Sequence, residues 1–298
     1  MKDVVDANIG KFQDPALTAK GEPRATVSLT NPQTLWFNTG TLCNIECVNC
    51  YIASSPTNDA LVYITADEGR DYLGQITQRN WPVTEIAFTG GEPFMNPQMI
   101  AMTEAALERG YEVLILTNAM LPMMRKSVQA GLVRLNEAYP GKLTLRISVD
   151  HYRTDLHDAE RGAGALEKTV TGMKWLRDNN IRMAVAGRSV FGATDEDSRA
   201  GYGAFYAEHS FDIDPQDPGM TVLFPEMDET VEVPEITTAC WGILDKSPDA
   251  VMCSSSRMVV KRKGAATPAV LACTLLPYTE EFELGHSLEE AEKDVALN

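Results

Sequence analysis

Cys43-Asn44-Ile45-Glu46-Cys47-Val48-Asn49-Cys50-Tyr51 sets three thiols at C-x3-C-x2-C spacing on one short loop. Thiols so spaced can each hold one iron of a [4Fe–4S] cubane and leave the fourth iron without a protein ligand. A four-cysteine loop saturates its cluster and passes electrons, whereas an open iron can bind and activate a small molecule. Zinc is the competing reading. Structural zinc takes four nitrogen or sulfur ligands, often as two separated pairs, and no further Cys or His lies near this loop; the nearest histidine is His151.

On either side of the loop, apolar runs of strand type alternate with helical patterns, which predicts βα units and a parallel sheet. The runs are Thr34–Asn38, Glu85–Thr89, Glu112–Leu116, Leu143–Asp150, Arg182–Ala186 and Met220–Phe224. Helices are expected from about Ala66 to Gln78, opened by Thr65 and the acidic pair Asp67-Glu68, from Pro97 to Arg109, and from Pro122 to Ala138. One more follows Asp150, with Leu166, Val170, Met173 and Leu176 on one face. Six such units fit a partial barrel or an open doubly wound sheet.

In parallel βα architectures ligands bind at the carboxyl ends of the strands, where loops converge. Each run here ends in a polar cluster: Cys43–Cys50, then Gly90-Gly91-Glu92, Asn118, Ser148 with Asp150, Gly187-Arg188, and Glu226. Two residues without Cβ let backbone groups approach a ligand, and a carboxylate accepts hydrogen bonds from an ammonium group. Arg161 suits a carboxylate because its guanidinium binds both oxygens, and Arg188 competes for that role. Asp150 and Glu226 are the candidate acid–base groups, Glu226 to take up a proton after oxidation.

The cysteine loop, its following aromatic and the downstream Gly90-Gly91-Glu92-Pro93 together resemble the radical S-adenosylmethionine (radical SAM) superfamily. The resemblance implies a partial (β/α)6 TIM-like barrel over residues 33–226, behind an irregular lead-in over 1–32. It implies that Cys43, Cys47 and Cys50 hold a [4Fe–4S] cluster whose open iron is chelated by SAM. An electron from an external donor such as flavodoxin or ferredoxin then cleaves SAM to a 5′-deoxyadenosyl radical that abstracts a substrate hydrogen. By the same resemblance Gly90, Gly91 and Glu92 hold the SAM amino group and Tyr51 lies beside adenine. Ser148 and Arg161, with Arg188 as competitor, contact ribose or the methionine carboxylate, and Asn118 joins the same cofactor site.

Residues 227–298 are similar to the SPASM/twitch extension of such enzymes: Cys253, a strand, Gly264, a strand, Cys273, Phe282-Glu283-Leu284-Gly285, then a short amphipathic helix from Ser287. This implies a small α+β unit in which Cys240, Cys253 and Cys273 bind an auxiliary [4Fe–4S] cluster, with Asp249 or His286 as a fourth ligand or an open iron. Buried structural thiols are the alternative.

The chain has 298 residues, 44% of them hydrophobic, and a formal net charge of −16. Such a field repels phosphate backbones and anionic membranes, so nucleic acid and lipid are excluded as expected partners. Met1 to Phe12 lacks an apolar signal-like core and no apolar run reaches the roughly 20 residues of a membrane span. A cytoplasmic location is expected, where thiols serve as metal ligands rather than disulfides. The expected activity is hydrogen abstraction from a small molecule, since few residues precede the first strand to recognise a peptide. A peptide-modifying maturase and a non-catalytic iron–sulfur or zinc protein are the other two readings.

Overall fold

The computed structural model describes residues 10–189, 192–225 and 230–297. Its strands are β1 (Thr26–Val27), β2 (Thr34–Asn38), β3 (Glu85–Thr89), β4 (Glu112–Thr117), β5 (Leu143–Ser148), β6 (Arg182–Arg188), β7 (Thr221–Phe224), β8 (Ser256–Val260), β9 (Ala269–Leu271), β10 (Glu283–Gly285) and β11 (Val295–Ala296). The helices are α1 (Ala66–Arg79), α2 (Met99–Leu107), α3 (Lys126–Ala138), α4 (Thr154–Arg161), α5 (Ala165–Asp178), α6 (Asp195–His209) and the single turn α7 (Cys240–Ile243). No described helix is long and apolar enough to cross a membrane.

β2 to β7 lie side by side in chain order and pair parallel throughout. This is the six-unit α/β partial barrel that the repeating pattern and the resemblance predict. Its core is apolar on the helix side: Leu143, Leu145 and Ile147 of β5 are fully buried, as are Leu132 and Leu135 of α3 and Met173 and Leu176 of α5. The alternate β5 residues Thr144, Arg146 and Ser148 face the other way, into the lumen. α1 is opened by a complete capping box between Thr65 and Glu68.

Local differences from the expected pattern have physical causes. The helix expected from Pro122 begins at Lys126, and the one from Pro97 at Met99 after a 3-10 turn over Pro93–Met95. The single helix expected after Asp150 is two, α4 and α5, separated by Gly162 and Gly164, both at positive φ. The helix expected from Ser287 is a 3-10 turn over Glu290–Glu292, because the chain is then drawn out into β11, which pairs with β1.

The C-terminal hairpin β8–β9 continues the barrel sheet. β8 pairs parallel with β2, on the side away from β3, and β9 and β10 follow antiparallel. The lead-in is held against the extension by Arg24, which donates to Asp14 O, Leu17 O, Leu297 O and the Glu235 carboxylate.

Candidate functional site

The loop after β2 is fixed from several sides. Cys43 N donates to Ser55 O at 3.0 Å, and Ser54 N donates to Cys50 Sγ at 3.3 Å. The Asn118 amide at the end of β4 donates to Asn44 Oδ1 at 2.9 Å and lies 3.9 Å from Cys43 Sγ. On the far side, Val48 N donates to Glu160 O at 2.9 Å, and Arg188 Nη1 donates to Asn49 O at 2.9 Å. Arg188 also lies over the Tyr51 ring, and Tyr51 OH donates to Pro225 O at 3.1 Å.

Burial pushes the Cys43 thiol up to about 12, with the nearby Glu92, Cys47 and Cys50 adding to it. Cys47 is raised in the same direction by burial, against the opposing field of Arg161. Such thiols ionise when a metal's positive charge replaces the lost water. Three thiolates that each bind a different iron need not converge on one point, and among the described residues no group of three or more His, Cys, Asp or Glu does so. The mutual repulsion of the sulfurs, the burial of Cys43 and two N–H groups aimed at sulfur fit a cluster bound through one thiolate per iron.

Gly90 and Gly91 border the cavity beside this loop, but what requires them to be glycine is the loop itself. A Cβ on Gly91 would stand 2.3 Å from Leu42 O, and one on Gly90, at φ +137, would stand 2.5 Å from Gly40 O. Gly91 N and Glu92 N donate to those same two carbonyls. The close approach expected toward a ligand is thus made first to the cysteine loop's own backbone. Glu92 is buried behind the cavity wall: its carboxylate accepts from Phe94 N at 3.1 Å, Asn118 N at 2.9 Å and the Thr117 hydroxyl at 2.9 and 3.0 Å. Burial raises it to about 7 in spite of those bonds.

At the end of β5, Asp150 takes Arg161 in a bidentate pair at 2.6 and 2.9 Å. Burial works against the charge on Arg161, and the Asp150 carboxylate outweighs it, so the guanidinium is held protonated beyond its ordinary range. Both oxygens of Asp150, expected as an acid–base group, are occupied by this pairing.

Cys43, Cys47, Cys50, Tyr51, Gly90, Gly91, Asn118, Ser148, Asp150, Arg161 and Arg188 all line one cavity of about 310 Å³. Of the expected cofactor contacts only Glu92 is absent from its wall, and Glu226 lies outside the described residues. Among the wall residues not singled out by motif or spacing are Arg146, a lone charge in the apolar β5 run, and Met252, Thr274 and Leu275, neighbours of Cys253 and Cys273. Glu160 is also new, and its only sequence signal is its place beside Arg161.

β8 runs parallel to β2 from Ser256 beside Thr34, so Cys253 before β8 and Cys273 after β9 sit at the strand ends opposite the cysteine loop. Burial raises the Cys253 thiol, and the nearby Cys273 adds to it. Asp249 lies on the same side, its carboxylate accepting from Thr30 and its carbonyl from Ser254. Cys240 is turned to Thr237, with Glu22 as the charge that reaches it, and His286 contacts Pro268 O at the other end of β9.

The family model described as the radical SAM superfamily matches residues 37–199. Over 150 residues the chain is 31% identical to the antilisterial bacteriocin subtilosin biosynthesis protein AlbA of Bacillus subtilis (strain 168), a match covering 50% of this chain and 31% of AlbA. It is 28% identical over 156 residues to the AdoMet-dependent heme synthase of Methanosarcina barkeri (strain Fusaro / DSM 804), covering 51% of this chain and 41% of that protein. The matches therefore span less than half of either relative. Among solved structures, Streptococcus suis SuiB bound to S-adenosylmethionine aligns with a TM-score of 0.61 at 12% identity, over 86% of this chain and 63% of SuiB. The native anSMEcpe with bound AdoMet aligns with a TM-score of 0.61 at 14% identity, over 87% of this chain and 80% of that one. At such identities the likeness is one of fold. The family match extends from within β2 to within α6, taking in the cysteine loop and the strand ends from β2 to β6 that wall the cavity, and the chain belongs to the radical SAM superfamily.

Proposed function

We propose that Cys43, Cys47 and Cys50 bind a [4Fe–4S] cluster, that the adjoining cavity takes S-adenosylmethionine, and that the protein removes a hydrogen atom from a small molecule held there. When bound, the cluster and SAM together supply the carbon radical for that abstraction. The observation that carries this reading is the presence of three thiols, Cys43 buried and Cys47 and Cys50 half-buried, and a paired guanidinium around one cavity. Arg161 offers its remaining N–H groups to a ligand carboxylate while Asp150 holds its plane fixed. Ser148 adds a hydroxyl, and Glu92 acts from behind by locking the backbone of Asn118. Tyr51, tied to Pro225 O, supplies an aromatic wall. Val48, 73% exposed on the same loop, gives an electron donor such as flavodoxin or ferredoxin an apolar approach.

A second cluster would draw on Cys253 and Cys273 with Asp249 on their side, while Cys240 and His286 are committed to other contacts. Anaerobic iron counting on a Cys240/Cys253/Cys273 triple variant tests it: a loss of about four irons supports the auxiliary cubane.

The reaction is tested by reconstituting the protein under anaerobic conditions, reducing it and measuring 5′-deoxyadenosine. Cys47→Ala is expected to abolish both cluster one and SAM cleavage, and retained cleavage would overturn the assignment. Peptide modification is the second reading. It is favoured by Met252 and Leu275, 53% and 45% exposed where they border the cavity, and by the fold shared with a SuiB structure bound to its precursor peptide SuiA. SAM cleavage stimulated by short peptides but not by small molecules would decide for it.

A further inference from the structure

Arg146 stands in the middle of β5, where Leu145 and Ile147 face the helices and Arg146 faces the lumen. Its register neighbours are Leu116 on β4 and Ala184 on β6. The side chain borders two spaces, the 310 Å³ cavity beside the cysteine loop and a cavity of about 680 Å³ at the opposite strand ends, where Glu85, Thr144 and Gly219 also lie. It forms part of the floor of the first and the roof of the second.

A guanidinium carries five N–H donors and seldom stays charged in a protein interior without a carboxylate. The other two cations of the first cavity follow that rule, Arg161 with Asp150 and Arg188 with Glu160 at 3.5 Å. Arg146 does not. Among the described residues no carboxylate reaches ion-pairing distance of it; Nη2 donates to Gly219 O at 3.2 Å, and the buried Nε has no partner. Glu85 is the acid whose field reaches it, but that carboxylate accepts from the Thr34 hydroxyl rather than from Arg146.

The geometry points to Arg146 as an anion subsite of the reaction cavity, holding a carboxylate of the substrate through its guanidinium. The assignment rests on the reading of that cavity as the reaction site and adds a substrate class to it, an organic acid with an apolar body. Trp36, Leu116 and Phe224 supply the apolar walls, and the floor supplies the charge. A planar guanidinium selects carboxylate over its amide, because the amide places an N–H against an N–H.

Hexanoate and hexanamide, matched in shape, are the probes. Their binding to reconstituted protein is measured by titration calorimetry, separately from SAM cleavage. Wild type is expected to bind hexanoate about ten-fold or more tightly than hexanamide. Arg146→Gln is expected to bring that ratio to about one, and Arg146→Lys, which keeps the charge but loses the fork, to an intermediate value. Iron content and circular dichroism establish that each variant is folded; if Arg146→Gln is not, Arg146→Lys decides. No preference for hexanoate in wild type, or an undiminished preference in a folded variant, overturns the subsite. Absence of SAM cleavage in wild type counts against the proposed reaction alone, since the hexanoate titration is read without it.

Discussion

Glu160, in the last turn of α4, accepts from the Asn49 side-chain amide nitrogen through both carboxylate oxygens, at 3.0 and 3.1 Å, between the second and third cysteines of the loop. Its carbonyl accepts from Val48 N, and Arg188 reaches the same carboxylate. One residue therefore joins the cysteine loop to α4 and β6. Glu160→Ala removes the carboxylate and leaves Arg188 without that acid, so a stability loss of about 2 kcal/mol is expected. The loss should show in urea denaturation of the apo protein, and iron retained after gel filtration should fall with it.

Asp150→Asn leaves the Arg161 guanidinium enclosed without its counter-charge. Breaking one side of such a pair typically costs about 3 kcal/mol or more. SAM affinity should also weaken, because the neutral amide no longer holds the plane of the guanidinium. Equal melting temperatures and equal SAM binding in variant and wild type would contradict this account.

Gly91 and Gly74 predict opposite outcomes for the same substitution. Gly91→Ala puts a Cβ 2.3 Å from the Leu42 carbonyl, a backbone atom that cannot swing aside, whereas a Cβ on Gly74 in α1 meets nothing within 4 Å. Gly91→Ala should cost about 3 kcal/mol or more and lower cluster occupancy. Gly74→Ala should stabilise by about 0.5–1 kcal/mol through helix propensity.

His157 is fully buried on α4 with neither ring nitrogen hydrogen-bonded. Burial, with Arg161 adding to it, lowers its pKa from 6.5 to about 4. Below about pH 6.5 the unfolded chain takes up a proton that the folded one refuses, so stability present above 6.5 is lost as the pH falls toward 4. Going from about pH 7.5 to about 5.5 should remove about 1.4 kcal/mol through this residue. His157→Leu should remove that part of the pH dependence, measured as the difference between the two urea-denaturation profiles.

The six parallel strands are legible in the sequence because each joins an apolar run to a polar end. Glu85–Thr89, for instance, leads directly into Gly90-Gly91-Glu92. The three cysteines are legible through spacing alone. α4 is not, since His157 is its one buried residue and it leaves no apolar stripe. Glu160 and Arg146 are equally silent, because what gives them meaning lies 111 residues away at Asn49 and 73 residues away at Gly219. The helix read at Ser287 fails for a related reason: β1, at the other end of the described chain, claims residues that local preference would have left coiled.

The pairing of β1 with β11 makes fraying a shared event. Arg24 bonds at once to Asp14, Leu17, Glu235 and Leu297, so a protease cut near either end releases the other. The stretch just after β1 also grips Ser254, through Thr30 N and Asn31 N, one residue from Cys253 and two from Met252 in the cavity wall. Peeling of the two ends would therefore breach the chamber from the side remote from the cysteine loop while the parallel strands still stand.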